Sequence, residues 1–167
     1  MFVKRLTLLT LLALALVLTI GLIQAGAATP SRVLKFYDAP ATQTAVGFNE
    51  NANTPPPVGA SQIIKLVLEN SGSQFGKASG AKVGRVLLDC TIMAVNPSAQ
   101  MVDGNCNGIA HVPDGFFTFE GNGGLTGATV AHYAVTGGVG AYADARGQIT
   151  VKNSSNGSSV ATVTLYG

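Results

Sequence analysis

Few residues in this sequence have the types and spacing that support chemistry. Histidine occurs only at His111 and His132, and cysteine only at Cys90 and Cys106. A zinc site needs three or four ligands at a regular spacing, and no carboxylate completes such a set, so we expect no metal. No Gly-x-Ser-x-Gly elbow is present, and no Ser/His/Asp order argues for a hydrolase. The remaining candidates for chemistry are the acids.

Four carboxylates, those of Asp38, Glu69, Asp89 and Glu120, fall within or at the ends of segments that have the composition of β-strands. An acid on a strand usually faces solvent. One that faced an apolar interior would have to be paired or keep its proton, and either condition would mark a functional site. The side of the sheet on which each acid lies therefore decides its role.

Residues 138–143, Gly-Val-Gly-Ala-Tyr-Ala, fit the Gly-x-Gly-x-x-Ala pattern of dinucleotide-binding loops. That interpretation needs an acid about 20 positions later, and no acid occurs after Asp144. The segments that follow have the composition of strands rather than of a βαβ unit. We interpret this glycine-rich segment as a turn and expect no cofactor.

The elements that position these residues are short strands. Gly, Asn, Asp or Pro interrupts the chain at short intervals, and the runs between are rich in Val, Ile, Thr, Phe and Tyr. We predict strands at residues 32–38, 62–69, 82–95, 105–112, 116–121, 129–135, 147–152 and 158–166. No segment has the helical stripe that the crossovers of a parallel sheet require. Eight antiparallel strands form a sandwich or a closed barrel; closure removes exposed edges and favours the barrel, which has room for one small ligand.

The N-terminus is typical of an exported protein. Lys4 and Arg5 precede a long uncharged apolar run, and the small residues at 25–27 fit a signal-peptidase site. We expect a helical signal peptide at residues 1–27 and one barrel domain at residues 28–167, secreted or periplasmic. The alternative is an uncleaved anchor, because the apolar run is nearly long enough to span a bilayer. This segment is the only membrane contact that the sequence predicts.

The charge and the cysteine content of the sequence limit the classes of function that we expect. Without the signal peptide the chain loses two of its ten basic residues, and eight basic and eight acidic side chains remain, scattered singly. Nucleic-acid binding needs clustered Lys and Arg and is not expected. In an oxidising compartment Cys90 and Cys106 would form a disulfide, which would stabilise the fold by about 3 kcal/mol. The alternative is a reactive thiol.

One stretch resembles a known superfamily. Residues 133–147, Tyr-Ala-Val-Thr-Gly-Gly-Val-Gly-Ala-Tyr-Ala-Asp-Ala-Arg-Gly, are similar to the glycine-rich stretch of the allene oxide cyclase and dirigent proteins. Weaker similarities follow the same order: Phe-Tyr-Asp at 36–38, Gly-Ala-Lys-Val-Gly-Arg at 80–85, and a hairpin at 113–121. The resemblance implies an eight-stranded antiparallel barrel, often trimeric, whose apolar cavity holds a reactive small molecule in one conformation.

The resemblance also implies roles for residues. Asp38 stands where the cyclases have an acid on the first strand, and Tyr133 matches a tyrosine that precedes their glycine stretch, so both are candidate catalytic residues. Pro40 and Leu66 replace two asparagines of the cyclases, which argues against allene oxide cyclase activity itself. The expected structural turn consists of Gly137, Gly138, Gly140 and Arg146. The candidate ligand-binding residues are Phe36, Leu66, Phe117, Phe119 and His132.

These features predict an exported barrel that binds a small hydrophobic molecule in its lumen and guides a cyclisation or isomerisation, alone or as a homodimer or homotrimer. The alternative is a non-catalytic exported barrel with a structural or interaction role. A cavity of several hundred Å³ that faces Asp38 and Tyr133 would favour the first function. A lumen packed solid with side chains would favour the second.

Overall fold

The computed structural model describes residues 30–38, 44–46, 56–99 and 101–166. The predicted signal peptide lies outside these residues. The described strands are β1 (Pro30–Asp38), β2 (Thr44–Val46), β3 (Ser61–Asn70), β4 (Lys82–Asn96), β5 (Met101–Val112), β6 (Gly115–Gly124), β7 (Val130–Gly140), β8 (Arg146–Asn153) and β9 (Ser159–Tyr166). A 3-10 turn at Pro97–Ala99 separates β4 from β5. Within the described ranges, no helix is long and apolar enough to cross a membrane.

Eight of these strands close into an antiparallel barrel. Strands β3 to β9 pair in chain order, and β1 completes the circle by pairing with β9 on one side and β3 on the other. The closed barrel is therefore confirmed, and each of the eight predicted strands is present. Strand β2 pairs with β3 beside this seam and was not predicted, because three residues are too few to show an alternating pattern.

Alternation along the strands sends one set of side chains into the lumen. On β4, Val86, Leu88 and Ile92 are buried, while Leu87 and Asp89 between them are exposed. Since the strands are antiparallel, β1, β6 and β8 end at one rim of the barrel, which we call the Asp38 end. The other rim, where β5 meets β6 and β7 meets β8, is called the Tyr142 end.

The seam between β1 and β3 is short and is extended by a side chain. The two strands share only two register pairs, the last of which involves Asn70. Beyond it, the Gln74 side-chain amide takes the place of a strand residue. Its Oε1 accepts a hydrogen bond from Lys35 N at 2.9 Å, and its Nε2 donates to Lys35 O. The loop after β3 therefore helps to close the barrel.

Asn70 shapes the loop that carries Gln74. Its side chain is fully buried, and its Nδ2 donates to the carbonyl oxygens of Gln74, Lys77 and Ala78 at 2.9, 3.1 and 3.2 Å. The two N–H groups of this buried amide are shared among three backbone acceptors, and these hydrogen bonds fix the path of the loop because losing them would leave buried polar groups unpaired. The position of Gln74 at the seam therefore depends on Asn70.

Candidate functional site

The barrel lumen contains a cavity of about 110 Å³. Its wall takes side chains from all eight barrel strands, and most are apolar, including Phe36, Leu66, Leu88, Phe117, Phe119 and Val163. An apolar protein cavity of about 150 Å³ stays dry and admits benzene. The lumen is therefore neither packed solid nor several hundred Å³ in volume: it has space for a group slightly smaller than one aromatic ring.

Polar groups gather at one end of this cavity. Asp38 is the last residue of β1, pairs in register with Ser159 of β9, and is only 4% exposed. Asn153 and Ser159 line the same end of the cavity. The Asn153 Nδ2 donates to the carbonyl oxygen of Gly124 at 2.9 Å, which ties the end of β8 to the end of β6. The cavity thus has an apolar body and a polar, acid-bearing end.

Tyr133 supplies a second polar group to the wall, from β7. Its ring packs edge-to-face on Phe119 with the centroids 5.5 Å apart, and Phe119 tilts against Phe117 at 6.3 Å. Burial raises the pKa of the Tyr133 hydroxyl above its ordinary value of 10.0, so the group is neutral at physiological pH. No hydrogen bond to this hydroxyl is found in the described part of the chain. A neutral hydroxyl can donate to or accept from a ligand.

A cluster of rings and charges fills the Tyr142 end. Tyr142 is 1% exposed, and its hydroxyl has no hydrogen-bond partner among the described residues. The Arg32 guanidinium lies 5.2 Å from the centroid of this ring and 5.4 Å from that of Phe75, and it pairs with Asp114 at 2.9 Å. Burial raises the pKa of Tyr142, and Arg32 opposes that shift. These groups close the lumen opposite to Asp38.

The predicted disulfide is present. Cys90 and Cys106 face each other in register on β4 and β5, both are fully buried, and their sulfur atoms are 2.08 Å apart. They are the only cysteines in the sequence. The alternative of a reactive thiol is therefore wrong for this structure, and the pair braces two neighbouring strands inside the barrel.

Comparison with known proteins identifies the fold. Protein-family models and curated proteins give no match. A pyocyanin demethylase has a similar structure, with a TM-score of 0.57 and 22% identity over 80% of this chain and 99% of that chain. The Diels Alderase AbmU from Streptomyces koyangensis is also similar, with a TM-score of 0.55 and 11% identity over 89% of this chain and 74% of that chain. The pterocarpan synthase dirigent protein GePTS1 has a TM-score of 0.52 and 15% identity over 81% of this chain and 82% of that chain. The fold is the allene oxide cyclase and dirigent-like barrel.

The resemblance in the sequence is thus confirmed at the level of the fold, and the dirigent-like barrel brings most of the predicted site residues together. Asp38, Tyr133, Phe36, Leu66, Phe117 and Phe119 all line the same cavity. Of the four acids on strands, Asp38 faces inward. Asp89 and Glu120 are exposed on the outer surface, and Glu69 is half-buried.

His132 requires a correction. Adjacent residues of a strand point to opposite faces, so His132 must face outward when Tyr133 faces the lumen. His132 is exposed, and its Nδ1 lies 3.5 Å from Thr150 Oγ1 on the outside of the barrel. The expectation that His132 lines the ligand site is therefore wrong.

The glycine-rich segment after Tyr133 forms the end of β7 and a tight turn. A Cβ atom at Gly138 would lie 2.5 Å from a backbone carbonyl oxygen, and Gly140 has a φ of +71°. Gly137 has no such restriction, since the nearest atoms to its Cβ position are 3.8 Å away. The Arg146 Nη1 donates to two backbone carbonyls, at 3.1 and 2.9 Å, on the two sides of the turn.

Leu125 is a site residue that the sequence did not indicate. It follows β6, lines the cavity, and packs on the inner face of Gly104, where a Cβ atom would lie 2.7 Å from its Cδ1. Its backbone N donates to Val102 O at 2.7 Å, which anchors the loop. A lone large apolar residue in a glycine-rich loop is a weak signal of such inward folding.

A second concavity, of about 320 Å³, lies on the outer surface of β4 to β7. Leu87 and Ile109 line it together with Asp89, Glu120 and Thr136. Two acids and exposed aliphatic groups are an ordinary mixture for a barrel exterior. No group of three or more His, Cys, Asp or Glu that could hold a metal occurs among the residues described.

Proposed function

We propose that this chain is an exported barrel that binds a small hydrophobic molecule in its lumen and holds it for a cyclisation or isomerisation. The observation that carries the proposal is the apolar cavity, because it has one buried carboxyl group, that of Asp38, and one buried phenol hydroxyl, that of Tyr133, on its wall. Apolar cavities with a few convergent polar groups are the usual form of ligand sites.

In this proposal the apolar side chains, the Tyr133 hydroxyl and the Asp38 carboxyl group each have a separate role. Apolar side chains remove the ligand from water and hold it in one orientation, which supplies most of the rate in reactions that need only positioning. The Tyr133 hydroxyl hydrogen-bonds an oxygen or nitrogen of the ligand. Asp38 removes a proton at one atom of the ligand and returns it at another, so that isomerisation leaves the atoms and electrons of ligand and protein balanced.

Two further observations support the proposal. The buried Cys90–Cys106 disulfide is the kind of brace that persists in an oxidising compartment, in agreement with the predicted signal peptide. The solved structures with this fold carry the names of a demethylase, a Diels Alderase and a pterocarpan synthase dirigent protein, all of which denote work on small molecules.

The small volume of the cavity favours a second candidate. In this second candidate function the lumen, with about 110 Å³ of free space, serves mainly as a core, and the protein is a non-catalytic exported barrel with a structural or interaction role. Native mass spectrometry of the protein secreted by its own host separates the two functions. The first predicts a mature chain that begins after residue 27 and carries a bound small molecule. A chain without a ligand, whose melting temperature no small molecule raises, would favour the second.

A further inference from the structure

The sequence contains Asn-Gly pairs at residues 107–108, 122–123 and 156–157. Such a pair can react with itself, because the backbone N of the glycine is a nucleophile that no side chain shields and the amide carbon of the asparagine is its electrophile. The side chains of Asn107, Asn122 and Asn156 are all exposed. Access to solvent therefore does not distinguish the pairs, and the backbone around each asparagine decides which of them reacts.

Two of the pairs lie within strands that have a neighbour on both sides. Asn107 of β5 lies between β4 and β6, and Asn122 of β6 lies between β5 and β7. An extended strand directs the next peptide group away from the asparagine side chain, and turning that group back would break hydrogen bonds of the sheet. A Cβ atom at Gly108 or Gly123 would lie 2.3 or 2.5 Å from a neighbouring side chain, so neither backbone has room to move. We expect both pairs to be inert in the folded protein.

The third pair lies in the turn between β8 and β9. Gly157 has a φ of +80°, and its N–H donates to the carbonyl oxygen of Ser154 at 3.0 Å within the same turn. An exposed turn opens at a much lower free-energy cost than a sheet does. Gly157 N can therefore reach the Asn156 side chain while the barrel stays folded.

The Asn156 side chain is polarised for attack by two hydrogen bonds. Its Oδ1 accepts from Ser158 N at 3.0 Å and from Ser158 Oγ at 2.7 Å. Ser158 is buried, which holds both donors in place. When a nucleophile adds to the amide carbon, negative charge develops on Oδ1, and donors directed at that oxygen stabilise the charge. The bond that must open, from Gly157 N to Ser154 O, is not one of these two.

We propose that Asn156 is a site of spontaneous deamidation in the folded protein and that Ser158 assists the reaction. Gly157 N forms a bond to Asn156 Cγ, the bond from Cγ to Nδ2 breaks, and the amide nitrogen leaves as ammonia with the proton that Gly157 N has lost. A water molecule then adds to one of the two carbonyl groups of the five-membered imide and opens the ring. The products are aspartate and isoaspartate at position 156, and water is the only co-reactant.

The modification would alter the polar end of the lumen. Isoaspartate adds a methylene group to the backbone between Asn153 and Ser159, which pair in register and line the cavity. The hydrogen bond from Ser154 N to Ser158 O, at 2.9 Å, closes this hairpin, and we expect the isoaspartate form to lose it. Asn156 does not line the cavity, so the reaction does not depend on what the lumen binds.

The test compares the three pairs within one protein. The purified folded protein is incubated at neutral pH, and peptide mapping by mass spectrometry follows deamidation at each asparagine. We expect Asn156 to react at least about tenfold faster than Asn107 or Asn122, because ring closure is within reach only in the turn. The reference is the same protein with its disulfide reduced and its chain unfolded in guanidinium chloride, where the three pairs should react at similar rates.

Two serines of the turn give the matched variants. Ser158→Ala removes the hydroxyl donor and keeps the backbone N–H, so deamidation of Asn156 should slow by about threefold to tenfold, less than in a buried oxyanion hole because the turn is exposed to water. Ser155→Ala makes the same change at an exposed position of the turn and should leave the rate unchanged. Hydrogen exchange at the Ser154 amide should be faster in the isoaspartate form than in the unmodified protein.

Two results would overturn the proposal. If Asn156 reacts as slowly as Asn107 and Asn122 in the folded protein, the turn protects the pair and Asn156 is not a modification site. If Ser158→Ala reacts as fast as the unmodified protein or faster, the hydrogen bonds to Oδ1 do not assist the reaction, and the role assigned to Ser158 is wrong.

Discussion

The contact between Gly108 and Phe119 gives the sharpest test of how the cavity wall is packed. Gly108 lies on the inner face of β5, and a Cβ atom there would be 2.3 Å from Phe119 Cζ and 2.6 Å from Cε2. Ordinary contact begins at 3.4 Å, so the ring would have to move by about 1.1 Å. Phe119 is 6% exposed, packs against Tyr133 and Phe117 and lines the lumen cavity, so we expect the displaced ring to move into that cavity.

Gly108→Ala should therefore destabilise the barrel and reduce its cavity. Overpacking costs about 1–3 kcal/mol, and the lower chain entropy of Ala in the unfolded state returns about 0.5–1 kcal/mol. We expect a net loss of about 1–2 kcal/mol, which lowers the melting temperature by about 3–7 °C in a domain of this size. The free volume of the cavity should shrink as well, because the displaced ring occupies part of it.

Gly137→Ala is the matched control. It is the same substitution on β7, two strands away in the sheet, but the closest atoms to its Cβ position are 3.8 Å away and its φ lies outside the left-handed region. This variant should gain about 0.5 kcal/mol. Thermal and urea unfolding of both variants provide the measurement. If Gly108→Ala is as stable as Gly137→Ala, the ring of Phe119 is not confined as described, and the reasoning about the wall is wrong.

Other predictions concern the brace, the seam and the Tyr142 end. Replacing Cys90 and Cys106 together with Ala should lower the free energy of unfolding by about 3 kcal/mol and abolish the effect of reductant on the melting temperature. Gln74→Ala should accelerate hydrogen exchange at the Lys35 amide and cost about 1 kcal/mol, because the Lys35 N–H loses its partner while the Lys35 carbonyl keeps the hydrogen bond from Ser71 N. Tyr142→Phe should stabilise the fold by about 1 kcal/mol in chemical denaturation, since it removes a buried hydroxyl without a described partner. The pKa of Tyr142 is raised above 10.0 in the folded state, so the folded protein holds this proton to a higher pH than the unfolded chain does. Ionisation of Tyr142 therefore leaves the free energy of unfolding unchanged below about pH 9 and lowers it as the pH rises above 10. When unfolding is measured against pH, the Tyr142→Phe variant should lack this part of the decrease.

The strands and the barrel could be predicted because alternation and closure leave few alternatives. The even positions of β4 from Val86 to Ile92 are apolar, and each is buried as that pattern requires. Strand β2 was missed because its three residues are too few to show an alternating pattern. The role of Gln74 at the seam was missed for a different reason, since its hydrogen bond with Lys35 joins residues that are 39 positions apart.

The site was only partly predictable, and His132 shows why. Composition marks both His132 and Tyr133 as candidates, but a strand can present only one of two neighbours to the lumen. Which one faces inward depends on the register of β7 against β6 and β8, where Tyr133 pairs with Gly121 and Ile149. The sequence shows that side chains alternate between two faces, but it does not show which of the two faces lines the lumen.

The polarity of the cavity arises from the ends of strands rather than from a motif. Asp38, Asn153 and Ser159 stand at the last or first position of their strands, where polar residues normally mark turns. In the sequence they are therefore indistinguishable from ordinary turn residues. Closure of the barrel brings the three strand ends to one rim, and inward alternation then turns them toward the lumen. The acid at this rim is thus a consequence of topology rather than of any local sequence motif.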